Sequence, residues 1–310
     1  MEVQISYNKS QWGGHLSLVS TICFPQKPSS RHEGMKEMAC FPLDRTQCQL
    51  RTPQSKMVNI RDLPEDILID VLRLVPAREL VLRCRLVCLL WRDLVDLPSL
   101  WKRKCYLEGF HPRAPDRNVP DWRIFYFLST LRKNLIQNPC AEAGFNSWKI
   151  EQNGGDKWKI EDLPGSHGRE FPDPHVHKYF VTSYRLCLKN QLVTLKNHGY
   201  WDELMDEVKP AIVVKDWYAA RYDCGCRYQL RVELLSADYI VLQEFQPEDV
   251  VIEPWSDATW HEVSHTFHDY PRGVRHVILH HGGSDTQYWA GWYGVRVTNS
   301  SITIEPEVAE

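Results

Sequence analysis

Apolar residues recur at helical spacing from Leu63 to about Leu107, and from Phe145 onward the period drops to two. The helical part opens with Asp62, Pro64 and Glu65, a cap, a preset φ angle and acid in the first turn, so a helix is predicted to begin near Leu63. Ile67, Leu68, Val71 and Leu72 keep its spacing until Pro76 breaks the hydrogen-bond ladder. In the next run Leu80, Cys84, Val87, Cys88 and Trp91 fall at i, i+4, i+7, i+8 and i+11, predicting a second helix with one apolar stripe. Pro98 opens a third, carrying Leu100, Trp101 and Cys105. Three short helices in about 45 residues bury too little surface to be comfortable alone. Such a unit needs a partner.

These residues resemble an F-box: Leu63-Pro64 at the opening, Leu74-Val75-Pro76 at the break, then Leu80, Val87-Cys88 and Trp91, with Trp101 beyond. The resemblance implies that the module docks on the Skp adaptor, and through it the cullin scaffold, of a cullin–RING ubiquitin ligase. Leu63, Pro64, Ile67, Leu80, Val87 and Trp91 would form the adaptor contact. Whatever follows would select substrates.

Residues 1–56 show no period and are read as a disordered extension, with the F-box over 57–108. Phe110 to Pro120 holds three prolines in eleven residues, a stiff connection. Trp122 to Asn134 returns to helical spacing, with Ile124, Leu128, Leu131 and Leu135 on the face that would pack a linker (109–137) against the next domain. Over 138–306 many short alternating runs predict a β-sandwich of about ten antiparallel strands, leaving a tail at 307–310. Trp148-Lys-Ile150 and Trp158-Lys-Ile160 flank Asn153-Gly-Gly-Asp156 like the arms of a hairpin. Further strands are expected over Lys178 to Leu195, Ala211 to Tyr218, Tyr228 to Leu235, Trp260 to Phe267, Arg275 to His281 and Val295 to Ile304. Trp201 to Val208 alone looks helical there. Trp148, Trp158, Phe180, Val232 and Phe267 are expected in the core.

One stretch does not read as core. In His281 to Gly294 two large aromatics, Tyr288 and Trp289, stand side by side among glycines and polar residues. Neighbours on a strand point to opposite faces, so a strand could not aim both at one core, whereas a loop can present both to a ligand. Flat rings beside polar groups suit the C–H faces of sugars. One ring covering roughly 70 Å² at about 25 cal/mol per Å² supplies roughly 2 kcal/mol. A micromolar ligand needs about 8 kcal/mol, so hydrogen bonds must contribute, and Asp223 is a candidate acceptor.

From about Asn138 to Pro306 the chain resembles the F-box-associated domain of the sugar-recognising F-box proteins. Matching stretches include Asn138-Pro-Cys-Ala141, Asn153-Gly-Gly-Asp156, Val214-Lys-Asp-Trp217, Val263-Ser-His-Thr-Phe267, Tyr288-Trp289 and Arg296-Val-Thr-Asn-Ser-Ser301. The resemblance implies an α+β multidomain chain whose C-terminal jelly roll is like galactose-binding domains. Its loops would grip the chitobiose and core mannoses of N-linked high-mannose glycans on misfolded glycoproteins, promoting their ubiquitination in endoplasmic-reticulum-associated degradation. Tyr288 and Trp289 match the aromatic pair that holds the sugar, Asp223 a carboxylate bonded to chitobiose, and Tyr184 an aromatic wall. Ala290 departs from the Lys that follows the pair in some members. An alternative is a receptor for a protein surface, independent of glycans.

Composition narrows the field. A net charge of −3 gives no footprint for nucleic acid or an anionic membrane. Ten cysteines in 310 residues are not disulfide density, and Cys84, Cys88 and Cys105 fall at core-type helical positions, so a reducing setting is expected, which the resemblance narrows to the cytoplasm at the face of the endoplasmic reticulum. No apolar run is long enough to span a membrane. His261-Glu-Val-Ser-His265 matches HExxH, which binds zinc from a helix. Its flanks alternate, and on a strand the two histidines stand about 13 Å apart, too far for one ion. Cys224-Gly-Cys226 lacks a second pair. No catalytic centre, metal site or cofactor is expected; the chain reads as a non-catalytic receptor.

Overall fold

The computed structural model describes Ile60, residues 63–112 and residues 119–306. Asp62, the extension, the middle of the proline-rich connection and the tail lie outside these. The chain divides into one unit ending at Leu100 and a second beginning at Trp101.

In the first unit α1 (Glu65–Leu72) starts at Pro64, whose φ of −54° suits the first turn. Leu68, Ile69 and Leu72 form its buried side. The predicted second helix is not continuous. It splits into α2 (Ala77–Leu82), a 3₁₀ turn over Cys84–Leu86 and α3 (Leu89–Asp96). Arg83 leaves the helical region, and Cys88 is fully extended at φ −164°. The run Leu80 to Leu90 is apolar on nearly every face, so spacing alone could not reveal the breaks. Arg85 in the turn grips Asp96 at the end of α3 with Nε–Oδ1 at 3.0 Å and Nη2–Oδ2 at 2.9 Å. Leu80, Leu94, Val95 and Leu100 fill the interior, while Cys84 and Cys88 are only half-buried, contrary to their expected core placement. The helix opened by Pro98 is α4 (Pro98–Leu107).

The second unit begins within α4 and holds α5 (Trp122–Leu131), whose first turn is capped by Asp121 accepting from the backbone of Arg123 and Ile124 at 2.8 and 3.0 Å. Leu128 and Leu135 lie in the sandwich core with Ile124 and Leu131 packed against it. Asn134 ties the chain after the helix to a strand edge, its Oδ1 accepting from the Ile302 amide and its Nδ2 donating to the Ser300 carbonyl.

Among the described residues, eleven strands form two antiparallel sheets. β1 (Lys149–Asn153), β4 (Cys187–Thr194), β10 (His276–Asp285), β6 (Cys226–Leu235) and β7 (Val241–Phe245) run in that order, with β8 (Val250–Ile252) also on β6. The facing sheet runs β2 (Lys159–Asp162), β3 (Lys178–Val181), β11 (Arg296–Glu305), β5 (Ala211–Ala219), β9 (His261–Phe267). This is the expected sandwich; β7 and β8 are short and half-exposed and give no clear alternation. The expected hairpin is corrected. β1 pairs with β4 and β2 with β3, so the chain crosses between sheets at Asn153 to Asp156 instead of folding back on itself. Both indoles explain this: Trp148 and Trp158 are buried in the shared core and pull their strands onto its two sides. Phe180, Val232 and Phe267 are buried there too.

A polar cluster crosses the core. Asp216 on β5 accepts from Ser300 on β11 (2.7 Å) and from Tyr228 on β6 (2.6 Å), and meets His281 Nδ1 on β10 at 2.6 Å. His281 Nε2 meets Lys189 Nζ on β4 at 2.5 Å, and Lys189 lies over the Trp148 ring. Burial pushes the Lys189 pKa well down and lowers that of His281. A neutral imidazole donating from Nδ1 to Asp216 and accepting at Nε2 satisfies both partners. Residues 261–267 form a strand, so the HExxH pattern lacks the helix that would bring its histidines to one ion; His265 instead stacks on Phe245 at 3.9 Å. Among the described residues no helix is long and apolar enough to cross a membrane.

Candidate functional sites

The loop after β10 carries the predicted aromatic pair and is built from its first residue. Asp285 Oδ1 accepts from the amides of Gln287 (3.1 Å) and Tyr288 (2.6 Å), folding the chain over the strand end. Burial raises the Asp285 pKa against these amides, and its Oδ2 is buried without a hydrogen bond. The Thr286 amide donates to the Gly225 carbonyl, the Gly291 amide to Asp156 Oδ2 (2.6 Å), and Ser183 Oγ to the Gly291 carbonyl (2.8 Å). The sheet-crossing turn, the β3–β4 connection and the β5–β6 connection thus pin the loop. Its two rings stay outside: Tyr288 is 76% and Trp289 43% exposed. Tyr288 has φ +57°, which few bulky residues adopt.

Tyr184 and Tyr288 line one open cavity of about 480 Å³ with Arg185, Arg227, Asp285 and Thr286. Trp289 and Asp223 do not line that cavity. They are linked along another path: Trp289 meets Tyr293 edge-on at 5.6 Å, and the Arg221 guanidinium lies 4.3 Å over Tyr293. Arg221 also holds Asp223 with both carboxylate oxygens engaged, at 2.9 and 3.0 Å. Arg221 therefore keeps the Asp223 pKa below the usual carboxylate range. Sequence reasoning missed Asp285, Asp156, Arg221 and Tyr293. Only Asp285 carried a local signal, an Asp placed two and three residues before the amides it caps.

The helical unit presents a different surface. Ile67 (46%) and Val87 (49%) stand out in solvent, joined by Val71, Leu74, Leu82, Leu86, Leu89 and Leu90. Pro64 is exposed; Leu63 and Trp91 are half-buried. Leu80 corrects the expectation, for at 0% exposure it holds the unit's own core and cannot touch a partner. So many exposed apolar side chains on so small a body mark an interaction surface.

Two family models match the chain, the F-box-like model over residues 60–107 and the F-box associated region over residues 126–304. The chain belongs to the F-box proteins that carry an F-box associated region. Among its relatives, F-box only protein 6 of Homo sapiens is 61% identical over 258 residues, covering 83% of this chain and 88% of that protein. F-box only protein 44 of Mus musculus is 60% identical over 248 residues (80% and 97%), and F-box only protein 2 of Bos taurus 50% identical over 248 residues (79% and 84%). A solved xylan-binding domain from Paenibacillus barcinonensis shares 10% identity and a TM-score of 0.35 over 57% of this chain and 97% of its own, a likeness too slight to carry an argument.

Proposed function

We propose that this chain is the substrate receptor of a Skp–cullin–F-box ubiquitin ligase and that its sandwich binds the chitobiose and core mannoses of N-linked high-mannose glycans. The observation that carries the glycan reading is the pinned loop holding Tyr288 and Trp289 out in solvent beside a polar-lined cavity. In this reading Trp289 is the stacking platform, Tyr288 and Tyr184 wall the adjoining cavity, and Asp223 accepts from sugar hydroxyls with the lone pairs that Arg221 leaves free. The exposed apolar face around Ile67 and Val87, with Leu63, Pro64 and Trp91, docks on the adaptor. The receptor performs no chemistry of its own. It raises the effective concentration of client lysines near the charged conjugating enzyme, and its clients are misfolded glycoproteins met in the cytoplasm at the endoplasmic reticulum during degradation.

A second reading, recognition of a protein surface without glycans, is favoured by the Arg221–Asp223 pair, because a carboxylate already engaged on both oxygens is a weaker sugar acceptor. Trp289→Ala in the full chain is expected to abolish retention on a high-mannose column while adaptor binding persists. Unchanged retention rejects the site. Clients stripped with an endoglycosidase should no longer be captured; undiminished capture supports the protein-surface reading. Replacing Leu63 and Pro64 by Ala should do the reverse of Trp289→Ala, losing the adaptor and keeping the glycan.

A further inference from the structure

A second pair of bare aromatics stands near the first. Trp255 is 69% and Tyr222 49% exposed, and their rings meet edge-to-face at 5.9 Å. We infer that this pair is a second sugar-stacking platform, taking a further pyranose of the same oligosaccharide whose core sits at Tyr288 and Trp289. The inference rests on the glycan reading above and extends it.

Three observations support it. The first is continuity. Tyr222 is the neighbour of Asp223, and Gly225 is wedged so tightly that a Cβ there would meet Thr286 Oγ1 at 2.5 Å, the Ile252 carbonyl at 2.6 Å and Pro254 Cδ at 2.9 Å. The loops bearing Tyr222, Trp255 and Tyr288 are therefore packed together at one point, so one ligand can reach all three. The second is backbone. Trp255 has φ +64°, as Tyr288 has φ +57°. A bulky aromatic in the left-handed region is costly and gains nothing from burial here, so the same device turns both rings outward. The third is surroundings. Glu253, Asp257 and His167 lie exposed on the neighbouring segments, and Asp223 is beside Tyr222. Isolated rings among hydrogen-bonding groups suit a pyranose better than the continuous apolar patch a protein partner needs.

Tyr239 serves as an internal contrast. It shares the positive φ (+61°) and the exposure, but it stands in the β6–β7 connection, at the end of β6 opposite Gly225 and the Tyr288 loop, with its ring stacked on His276 at 4.6 Å and 17°.

The test is calorimetric titration of the full chain with chitobiose and with a free high-mannose oligosaccharide containing it. The wild type should bind the longer ligand more tightly. Trp255→Ala and Tyr222→Ala should each weaken the longer ligand roughly five- to tenfold and leave chitobiose within about twofold. Tyr239→Ala should match the wild type on both. Equal losses on both ligands, no loss on the longer one, or an equal fall in Tyr239→Ala would overturn the platform. A loss confined to a glycopeptide, with the free oligosaccharide unaffected, would assign the pair to polypeptide and overturn it as well. A wild type that binds neither ligand sinks the glycan reading, a result distinct from a wild type that binds both alike, which sinks only the platform.

Discussion

The helical unit leaves apolar side chains in solvent, whereas the sandwich puts ionisable ones in its core. Around Ile67, Val87 and Leu89 the first unit displays leucines and valines with nothing of its own to cover them. The second buries Asp216, His281 and Lys189 completely between its sheets. Each choice costs stability in isolation, exposure by leaving apolar area wet and burial by stripping water from charge. The difference lies in where the compensation comes from. A partner must supply it for the helices. The sandwich supplies its own, because Asp216 collects bonds from β6, β10 and β11 and so fixes one sheet against the other. That internal fastening suits a domain whose end loops must keep five strand connections in register.

The sharpest way to break this comparison is to cut the polar cluster. Asp216→Ala leaves the Tyr228 hydroxyl, the Ser300 hydroxyl and His281 Nδ1 buried without their acceptor. Removing one member of a buried charged network costs about 3–5 kcal/mol. Denaturant titration of the full chain, followed by a sandwich tryptophan signal, should show a loss of that size. A loss below about 1 kcal/mol would mean that the cluster is incidental to how the sheets are joined.

The helical side is tested by two leucines of opposite placement. Leu80→Ala opens a cavity in a core of few residues and should cost about 2–4 kcal/mol. Leu89→Ser, on a side chain 67% exposed, should leave stability within about 0.5 kcal/mol yet weaken adaptor capture. Should Leu89→Ser unfold the unit instead, its surface leucines would belong to an interior.

How much of this could be read from sequence follows the same divide. The period of two located most of the sandwich, because strands such as β6 alternate cleanly, with Tyr228, Leu230, Val232 and Leu234 buried between more exposed neighbours. The exposed pair Tyr288 and Trp289 was legible because neighbouring aromatics cannot both enter one core. The break at Arg83 to Cys88 was hidden, since the apolar run there fits a helix on several faces. The Asn153 to Asp156 crossing mimicked a hairpin because turn residues do not say which sheet receives the next strand. Arg221, Tyr293 and Asp156 were out of reach for another reason: each acts on the rim through a partner up to 135 residues away, as Asp156 does on Gly291.

A smaller loss than that of either buried residue, Asp216 or Leu80, belongs to a polar fastening on the outside, and it separates burial from charge as the source of strength. Asp206, in the π-helical turn Leu204–Val208, accepts from Arg275 Nη1 (2.9 Å) and Nη2 (2.7 Å) and from the Gly273 amide (2.8 Å). Arg275 is the first cause that brings its pKa from 3.8 to about 2. A carboxyl depressed in the folded state contributes fully above its unfolded pKa and loses that contribution as pH falls through the folded one. The linkage alone would amount to about 2.5 kcal/mol. Both side chains of the pair keep about a fifth of their surface in water (21% and 22%), so screening reduces the expectation to about 1 kcal/mol. Asp206→Asn should therefore lower stability by about 1 kcal/mol at pH 7, well short of Asp216→Ala, and its gap from the wild type should close between about pH 4 and pH 2. Denaturation midpoints at neutral pH and across that acid window measure it. A gap that holds constant or widens on acidification would show that the carboxylate's charge is not what fastens the turn.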